Sequence, residues 1–444
     1  MKGSVRILVL FIVISLFINL FSGCGRSKQS NLETNPTVSG NSNSGNTTPS
    51  GNTSTVDTEP QPLKISYKVY RNVIKDDGTD LVYFRLSFPY IDNPENGKGI
   101  AAINDYYETY VNNFINTVVA EGKEVALEGK KNMQEAGLDF FPFAYVREAS
   151  VSYNGNNLMS VLHIGYDNTG GAHPTNYWAS ETFDVKTGKK LALTDIFGLS
   201  KEKSLEKVYD VVLNQIKNDK EAEMYYFEDY EKGVKEYYSE NDFFLDSDGI
   251  IFYYQTYAIG PYAAGIPSFK LPYEKAGDLA IKILPVKLTE DERDIIIKAG
   301  RLIEDNIDVF CNIYGLSMLP LEIPENIPEG QSLFPVKDVR FRTFSDLENY
   351  IRGIYVKSEA DTLLSSVRYT DKDGKLHGDI NQDAGVGYYV NWNEYRYEVS
   401  DISKNSATIT IYTVDDSPAG KKDKIIKVKM LKENGLWLLE KMFS

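Results

Sequence analysis

The sequence is short of the side chains on which most metal and nucleophilic chemistry depends. Among 444 residues it has three histidines, His163, His173 and His377, and no two of them have the i, i+4 spacing that binds zinc on one helix face. His163 lies in an apolar pattern typical of a core strand, and His377 lies beside a hairpin, where we expect it to be exposed. The Gly-x-Ser-x-Gly pattern of a nucleophile elbow is also missing. We therefore predict no catalytic residue, no metal and no cofactor.

Basic residues are also in deficit. Lys and Arg number 48 against 63 Asp and Glu, a net charge of -15, which argues against nucleic acid as a partner. An acidic surface suits a basic protein partner, although most such charge simply keeps a protein soluble. Paired carboxylates about 5 to 9 Å apart could cleave a glycan, and the sequence does not determine such distances. A peptidoglycan hydrolase that uses carboxylates therefore stays the alternative to a binding protein.

The N-terminus has the pattern of an export signal. Lys2 and Arg6 precede an apolar run over residues 7–21, which is shorter than the roughly 20 residues of a membrane-spanning helix. Ser22, Gly23 and Cys24 follow, and the segment resembles a bacterial lipobox, with Phe21 where Leu is usual. We expect cleavage after residues 1–23, lipidation of Cys24 and anchoring on the outer face of the cell membrane; a plain signal peptide or an uncleaved short anchor are the alternatives.

With Cys24 lipidated, Cys311 is the one cysteine left, so we expect no internal disulfide and a buried Cys311. Residues 24–62 are rich in Ser, Asn, Thr, Gly and Pro, a composition that predicts a flexible linker.

Local signals mark turns and helices in the rest of the chain. Asp76-Asp77-Gly78 and Asn154-Gly155 are turn signals between strand patterns, and Leu191–Phe197 is predicted to be the second strand of a further hairpin. A helix is predicted from apolar residues at spacings of three and four, which are Ile103, Tyr107, Tyr110, Phe114 and Val118. The aromatic and acidic stretch at 224–238 is a candidate for another helix.

These patterns alternate between strand and helix, which predicts an α+β fold of two or more small domains with antiparallel sheets. We expect a first α+β region at 63–195 and a second at 196–318 that packs on it and ends in a long helix. Three prolines, at 320, 324 and 328, predict a boundary before a C-terminal α+β domain at 335–444. Thr289 with Glu292 and Ser345 with Glu348 have the spacing of helix capping boxes.

Two loops are candidates for contact with a partner. Both follow strand patterns and combine small, proline and aromatic residues, and the residues we select are Gly170, Gly171, His173, Tyr257, Pro261 and Tyr262. Small residues let another backbone approach closely, and a tyrosine held by a neighbouring proline can act as a rigid anchor. The alternative is that Gly and Pro only permit tight turns while the tyrosines pack inward.

Three motifs in order carry a resemblance to a known type of domain. They are Gly170-Gly171-Ala172-His173-Pro174, the run from Thr182-Phe183-Asp184 to Leu193-Thr194-Asp195-Ile196-Phe197, and Ile251-Phe252-Tyr253-Tyr254 with Gly260-Pro261-Tyr262-Ala263-Ala264-Gly265. Residues 62–285 with these motifs resemble the extracellular domain of lysozyme-binding anti-sigma factors and the accessory region of peptidoglycan deacetylases. The resemblance implies an envelope-facing α+β module that binds lysozyme in one branch and accompanies a wall-modifying enzyme in the other.

Two departures limit what this resemblance implies. Only six residues precede the apolar run, too few for the cytoplasmic segment with which an anti-sigma factor holds its sigma factor. The Thr-Phe-Asp-Asp-Gly-Pro string that introduces the zinc site of the deacetylases is missing. We therefore expect neither signalling nor deacetylation.

The C-terminal region resembles a secreted inhibitor of cell-wall DL-endopeptidases. The matching strings are Phe344-Ser345-Asp346-Leu347-Glu348-Asn349-Tyr350-Ile351 and Tyr369-Thr370-Asp371-Lys372-Asp373-Gly374-Lys375-Leu376. The sequence as a whole predicts a non-enzymatic cell-surface lipoprotein that binds an envelope component such as peptidoglycan, or a cell-wall-active hydrolase such as lysozyme.

Overall fold

The computed structural model describes residues 62–92, 97–171, 173–286, 290–382 and 388–444, all within one compact unit, Glu59–Ser444. Helices and predominantly antiparallel sheets are both present, which confirms the α+β class. The predicted signal, the predicted lipidation site Cys24 and nearly all of the predicted linker lie outside the described residues, as does Thr289. In the described ranges, no helix combines the length and the apolar content that crossing a membrane requires.

The strands of the described residues are, in chain order, β1 (Ile65–Asp76), β2 (Thr79–Ile91), β3 (Phe143–Gly155), β4 (Leu158–Asn168), β5 (Thr175–Asp184), β6 (Phe243–Leu245), β7 (Gly249–Tyr253), β8 (Ser268–Pro272), β9 (Leu333–Pro335), β10 (Tyr369–Lys372), β11 (Lys375–Asp379), β12 (Glu394–Ser400), β13 (Ser406–Ser417), β14 (Gly420–Glu433) and β15 (Leu436–Leu439). They fall into three sheets, with the orders β15-β14-β13-β12-β1-β2-β3-β4-β5, β6-β7-β8 and β10-β11-β9.

The helices occupy the connections between these strands. They are α1 (Lys98–Phe114), α2 (Ala120–Glu135), α3 (Leu193–Phe197), α4 (Lys201–Asn218), α5 (Ala222–Tyr225), α6 (Tyr230–Glu236), α7 (Glu290–Asp308), α8 (Phe344–Arg352) and α9 (Lys357–Leu364). A π-helical turn, Ile115–Val119, joins α1 to α2, and a second, Val309–Tyr314, follows α7. The pair α1 and α2 forms the crossover that lets β3 run parallel to β2.

Three large apolar clusters hold these elements together. The stripe of α1, with Ile103, Tyr107 and Val111, packs against β2, β3 and β4. Helix α7 packs with α8, α9 and the C-terminal strands over another part of the main sheet. Helix α4 covers the small sheet β6-β7-β8. The small sheet and its connections carry one of the two predicted contact loops.

The C-terminal region does not stand apart as the sequence analysis expected. Strand β1 pairs with β2 on one edge and with β12 on the other, where Tyr67 faces Tyr397. Strands β12 to β15 of the region 335–444 thereby continue the sheet that the first region begins. The proline-rich stretch near residue 324 is a connection without helix, because proline interrupts backbone hydrogen bonding, and the apolar core on either side of it is shared.

A buried ionic network fastens α7 to the main sheet. Glu304 of α7 contacts the Arg71 guanidinium at 2.8 Å and the Arg85 guanidinium at 3.2 Å, and accepts a hydrogen bond of 2.6 Å from the Tyr395 hydroxyl. Arg85 also lies 3.4 Å from Glu148, which Arg301 of α7 contacts at 3.2 Å. Because Arg85 is almost fully buried, these carboxylates provide its countercharge.

Several local predictions need correction. The turn between β3 and β4 uses Asn156 and Asn157, both at positive φ, and not Asn154 and Gly155, because the strand pairing continues to the end of β3. Most of the segment Leu191–Phe197, predicted to be a hairpin strand, is instead helix α3, Leu193–Phe197.

The start of α8 also differs from its prediction. Its capping box uses Thr343 and Asp346, where the Thr343 hydroxyl accepts from the Asp346 amide at 3.2 Å, so the helix begins two residues before the predicted cap at Ser345 implies. His377, expected to be exposed, is buried in β11, because β11 is the middle strand of its sheet.

Candidate functional site

The two predicted contact loops lie against each other in the structure. Gln255, just after β7, binds the backbone of Trp178 in β5 twice: its side-chain oxygen accepts from the Trp178 amide at 3.2 Å and its nitrogen donates to the carbonyl at 2.7 Å. The Thr256 hydroxyl donates to the Asn176 carbonyl at 3.3 Å. These hydrogen bonds join the segment after β7 to β5, the edge strand of the main sheet, and fix the loop that follows β7 beside the start of β5.

Three rings meet where the loops touch, and we call His173, Tyr257 and Tyr262 the ring cluster. The ring centroids of His173 and Tyr262 are 4.4 Å apart and those of Tyr257 and Tyr262 are 5.9 Å apart. The Tyr257 hydroxyl lies 3.3 Å from Nε2 of His173. Such spacings are typical of favourable aromatic pairs, so the cluster is a defined surface and not three independent side chains.

Two hydrogen bonds of its hydroxyl group hold Tyr262 in place. The hydroxyl donates to the Pro174 carbonyl at 3.3 Å and accepts from the side-chain nitrogen of Asn176 at 3.1 Å. The ring is half-buried, whereas His173, Pro261 and Tyr257 are exposed. Of the two tyrosines, Tyr262 thus packs partly inward, as the alternative interpretation of these loops expects, and Tyr257 does not.

Gly170 and Gly171 lie at the other end of the β4–β5 loop and are exposed. Gly170 has φ +83°, a conformation that favours glycine, and a Cβ placed on Gly171 would lie 3.6 Å from the His173 carbonyl. The structure thus places all six predicted contact residues in two adjoining loops, with the glycines beside the ring cluster.

Tyr257 has an unusual backbone conformation. Its φ is +71°. The other non-glycine residues at positive φ within the described ranges are all Asn or Asp, Asp77, Asn156, Asn157, Asp373, Asp401 and Asn434, and these residue types tolerate the left-handed region. A bulky aromatic residue there is strained, and such strain concentrates at functional sites. Tyr257 therefore keeps a conformation that costs conformational free energy. Its side chain is nevertheless 53% exposed.

A cleft lies beside Tyr257 that was not predicted from the sequence. It has a volume of about 180 Å³ and is lined by Phe227, Asp229, Tyr230, Lys232, Gly233, Glu236, Tyr237, Tyr257 and Ala258. We call it the aromatic cleft. Most of its lining comes from the aromatic and acidic stretch at 224–238, whose pattern predicts only a candidate helix. Tyr257 belongs both to the cleft and to the ring cluster.

Close backbone contacts fix the two walls of the aromatic cleft. The Phe227 amide donates to the Ile259 carbonyl at 3.0 Å. A Cβ on Gly260 would lie 2.2 Å from the Tyr225 carbonyl oxygen, and one on Gly233 would lie 2.9 Å from that of Ala258. Only glycine permits these approaches, so α6 and the segment before it are locked onto the loop that carries Tyr257.

The half-buried carboxyl of Asp242 lies near Gln255, at the start of the loop. Burial raises the pKa of Asp242 to about 6, against the opposing effect of hydrogen bonds from the Ser239 backbone, Gln255 and Tyr253. Because Gln255 also clamps Trp178, the ionisation of Asp242 is connected to the residue that positions the loop.

His163 and Glu181 form a buried pair of titratable groups in the first region. His163 contacts Glu181 inside the main sheet, and the Tyr106 hydroxyl donates to the same carboxylate at 3.1 Å. Burial alone would raise the pKa of Glu181, but the His163 charge and hydrogen bond, with Lys190, hold it below its usual value. Within the described ranges there is no group of three or more His, Cys, Asp or Glu side chains arranged to hold a metal.

Two sequence families match parts of the chain. Residues 76–176 match the family described as "Deacetylase PdaC", and residues 194–274 match "Protein of unknown function (DUF3298)". Both matches fall inside residues 62–285, which supports the resemblance of this region to the accessory part of deacetylases. The links to lysozyme-binding anti-sigma factors and to an endopeptidase inhibitor stay predictions.

Two solved structures are similar to about half of the chain. One is a DUF3298 family member from Bacteroides fragilis, with 21% identity, a TM-score of 0.37, and coverage of 49% of this chain and 93% of that one. The other is a DUF3298 family protein from Pseudomonas aeruginosa, with 17% identity, a TM-score of 0.35, and coverage of 51% and 99%. No curated protein matches the chain.

Proposed function

We propose that this chain is a non-enzymatic cell-surface lipoprotein whose folded region binds a cell-wall-active hydrolase such as lysozyme, or an envelope component such as peptidoglycan. The two family matches support a cell-wall-associated accessory role. The N-terminal pattern ending in Cys24 supports export and lipid anchoring on the outer face of the cell membrane.

The ring cluster is the observation that carries this proposal. Two loops bring His173, Tyr257 and Tyr262 into contact although His173 and Tyr257 are more than 80 positions apart. Tyr262 is held in place by a hydrogen bond that it donates to the Pro174 carbonyl and one that it accepts from the Asn176 side chain. Pre-ordered, partly exposed aromatic side chains lose little entropy on binding and are frequent anchors of protein interfaces. The net charge of -15 favours a basic partner.

The predicted linker fits this role. A flexible chain over residues 24–62 has an end-to-end distance of about 30 to 40 Å, so the folded region could engage partners at a distance from the membrane surface.

Two measurements on the purified full-length protein in detergent test the function. We expect retention of hen lysozyme or of isolated sacculi, and no release of muropeptides from the sacculi. Released muropeptides would support the alternative, a hydrolase based on carboxylates. Retention of neither lysozyme, an endogenous wall hydrolase nor sacculi would refute the proposal.

Anchoring is tested separately in cells. We expect labelled palmitate to enter the protein and the Cys24→Ser variant to lose both the label and the membrane association. A labelled or membrane-bound variant would show that Cys24 is not the anchor.

A further inference from the structure

The aromatic cleft exposes more aromatic surface than the fold needs. Phe227, Tyr237 and Tyr257 are 38%, 57% and 53% exposed, although all three line one concavity. The walls are fixed by the backbone contacts of Gly233 and of the segment before α6, so the cleft is present before any ligand binds. A preformed aromatic concavity of this kind is suited to hold a group with which ring faces interact favourably.

The size of the cleft restricts its occupant. Pockets that enclose drug-sized ligands measure about 300 to 1,000 Å³, whereas the aromatic cleft measures about 180 Å³. It therefore suits one side chain or one sugar unit that projects from a larger molecule.

The charge around the cleft distinguishes between a side chain and a sugar unit as its occupant. Between residues 219 and 242 nine carboxylate residues stand against three lysines, a net -6 out of the -15 of the whole chain. Asp229 and Glu236 line the cleft itself, and Lys232, the cation in the lining, lies 3.5 Å from Glu236. A cation is attracted both by this field and by the negative faces of the aromatic rings, whereas a neutral sugar gains nothing from the field.

We propose that the aromatic cleft receives an arginine or lysine side chain of a basic protein partner, between the rings of Phe227, Tyr237 and Tyr257 and with Asp229 as its countercharge. This inference rests on the proposed function, because it specifies the chemistry of the partner that the adjoining ring cluster contacts. Arginine is frequent among the residues that dominate protein interfaces, and its planar guanidinium both stacks on aromatic faces and pairs with carboxylates.

The test uses the full-length protein in detergent and two short peptides, acetyl-Gly-Arg-Gly-amide and its neutral match in which citrulline replaces arginine. Calorimetric titration should show weak binding of the arginine peptide and at least about tenfold weaker binding of the citrulline peptide. Asp229→Asn and Tyr237→Ala should each weaken binding of the arginine peptide severalfold. Glu228→Gln removes the same charge from the adjacent exposed residue outside the lining and should leave binding unchanged.

Three results would overturn the inference. The first is equal binding of the two peptides. The second is an equal effect of Asp229→Asn and Glu228→Gln, which would indicate a diffuse acidic surface. The third is binding of N-acetylglucosamine oligomers that depends on Tyr237 while the arginine peptide does not bind, which would assign the cleft to glycan.

Failure of the proposed function has a different signature. In that case neither lysozyme nor sacculi would be retained, while the difference between the arginine and citrulline peptides would persist. Conversely, retention of lysozyme that Asp229→Asn and Tyr237→Ala leave unaffected, with no binding of the arginine peptide, would refute the inference and leave the proposed function standing.

Discussion

The ring of Tyr262 lies against the imidazole of His173, with the two ring centroids 4.4 Å apart. The Tyr262 hydroxyl also donates a hydrogen bond to the carbonyl of Pro174, which lies 88 positions earlier in the chain. The contact connects the end of the main sheet at β5 with the connection between β7 and β8. Binding by a surface of this kind should therefore be sensitive to replacement of a single side chain.

Tyr262→Ala should remove partner binding without unfolding the protein. The half-buried ring contributes to the loop contact, but the clamp from Gln255 to Trp178 remains. We expect retention of lysozyme or sacculi to fall about tenfold or more, as for a central interface tyrosine, with a nearly unchanged melting temperature. Tyr389→Ala, at an exposed tyrosine outside both loops, serves as the control for loss of a surface aromatic ring. Unfolding of Tyr262→Ala would show that the loops only pack.

Tyr257→Asn should make the protein more stable and a weaker binder. Asparagine accepts the φ of +71° that strains tyrosine, and relief of such strain is worth about 1 kcal/mol or more. The substitution also removes one ring of the cluster, so partner binding should fall. Urea unfolding measures the gain.

The control for this exchange is Tyr237→Asn. Tyr237 is similarly exposed but has φ -106°, so the same substitution there has no strain to relieve. A loss of stability in Tyr257→Asn equal to that of the control would contradict the idea that Tyr257 is strained.

Local features of the fold were predictable from the sequence, and long-range ones were not. The turn at Asp77-Gly78 and the apolar stripe of α1 follow from periodicity and turn chemistry, and the structure has both. The union of β1 with β12 joins residues more than 300 positions apart, as in the hydrogen bond from Arg396 to Ser66. Nothing in a local pattern specifies which distant strand a given strand pairs with.

The candidate site also combines features that were predictable from the sequence with features that were not. The loop residues were selected for their chemistry, since Gly, Pro and Tyr together suggest an ordered contact surface. Their meeting depends on Gln255, which resembles any other polar residue in the sequence. The aromatic cleft depends on Gly233 and Gly260, whose role appears only where two backbones approach.

Glu304→Gln should destabilise the fold strongly. Glu304 is the shared countercharge of Arg71 and Arg85, and its neutralisation leaves buried guanidinium groups undercompensated. Removing one partner of a buried ion pair costs about 3 to 5 kcal/mol. Glu394→Gln is the matched control, because Glu394 pairs with Lys68 at 3.1 Å while half-exposed, and exposed pairs contribute about 1 kcal/mol or less. Equal losses in urea unfolding at pH 7 would show that the network does not hold α7 to the sheet.

Asp242→Asn should alter how stability depends on pH. Burial raises the pKa of Asp242 from its usual 3.8 to about 6 in the folded protein, so the folded state holds this proton more tightly than the unfolded chain does. The stabilisation from Asp242 is therefore complete below about pH 4 and is lost as pH rises through 6. Asparagine stays neutral, so the unfolding free energy of the variant relative to the native protein should rise between pH 4 and pH 7 and stay level below pH 4. Urea titrations at half-unit pH steps measure this difference. A constant difference over the whole range would mean that Asp242 is ionised alike in both states, and the loop held by Gln255 would then rest on a charged carboxylate.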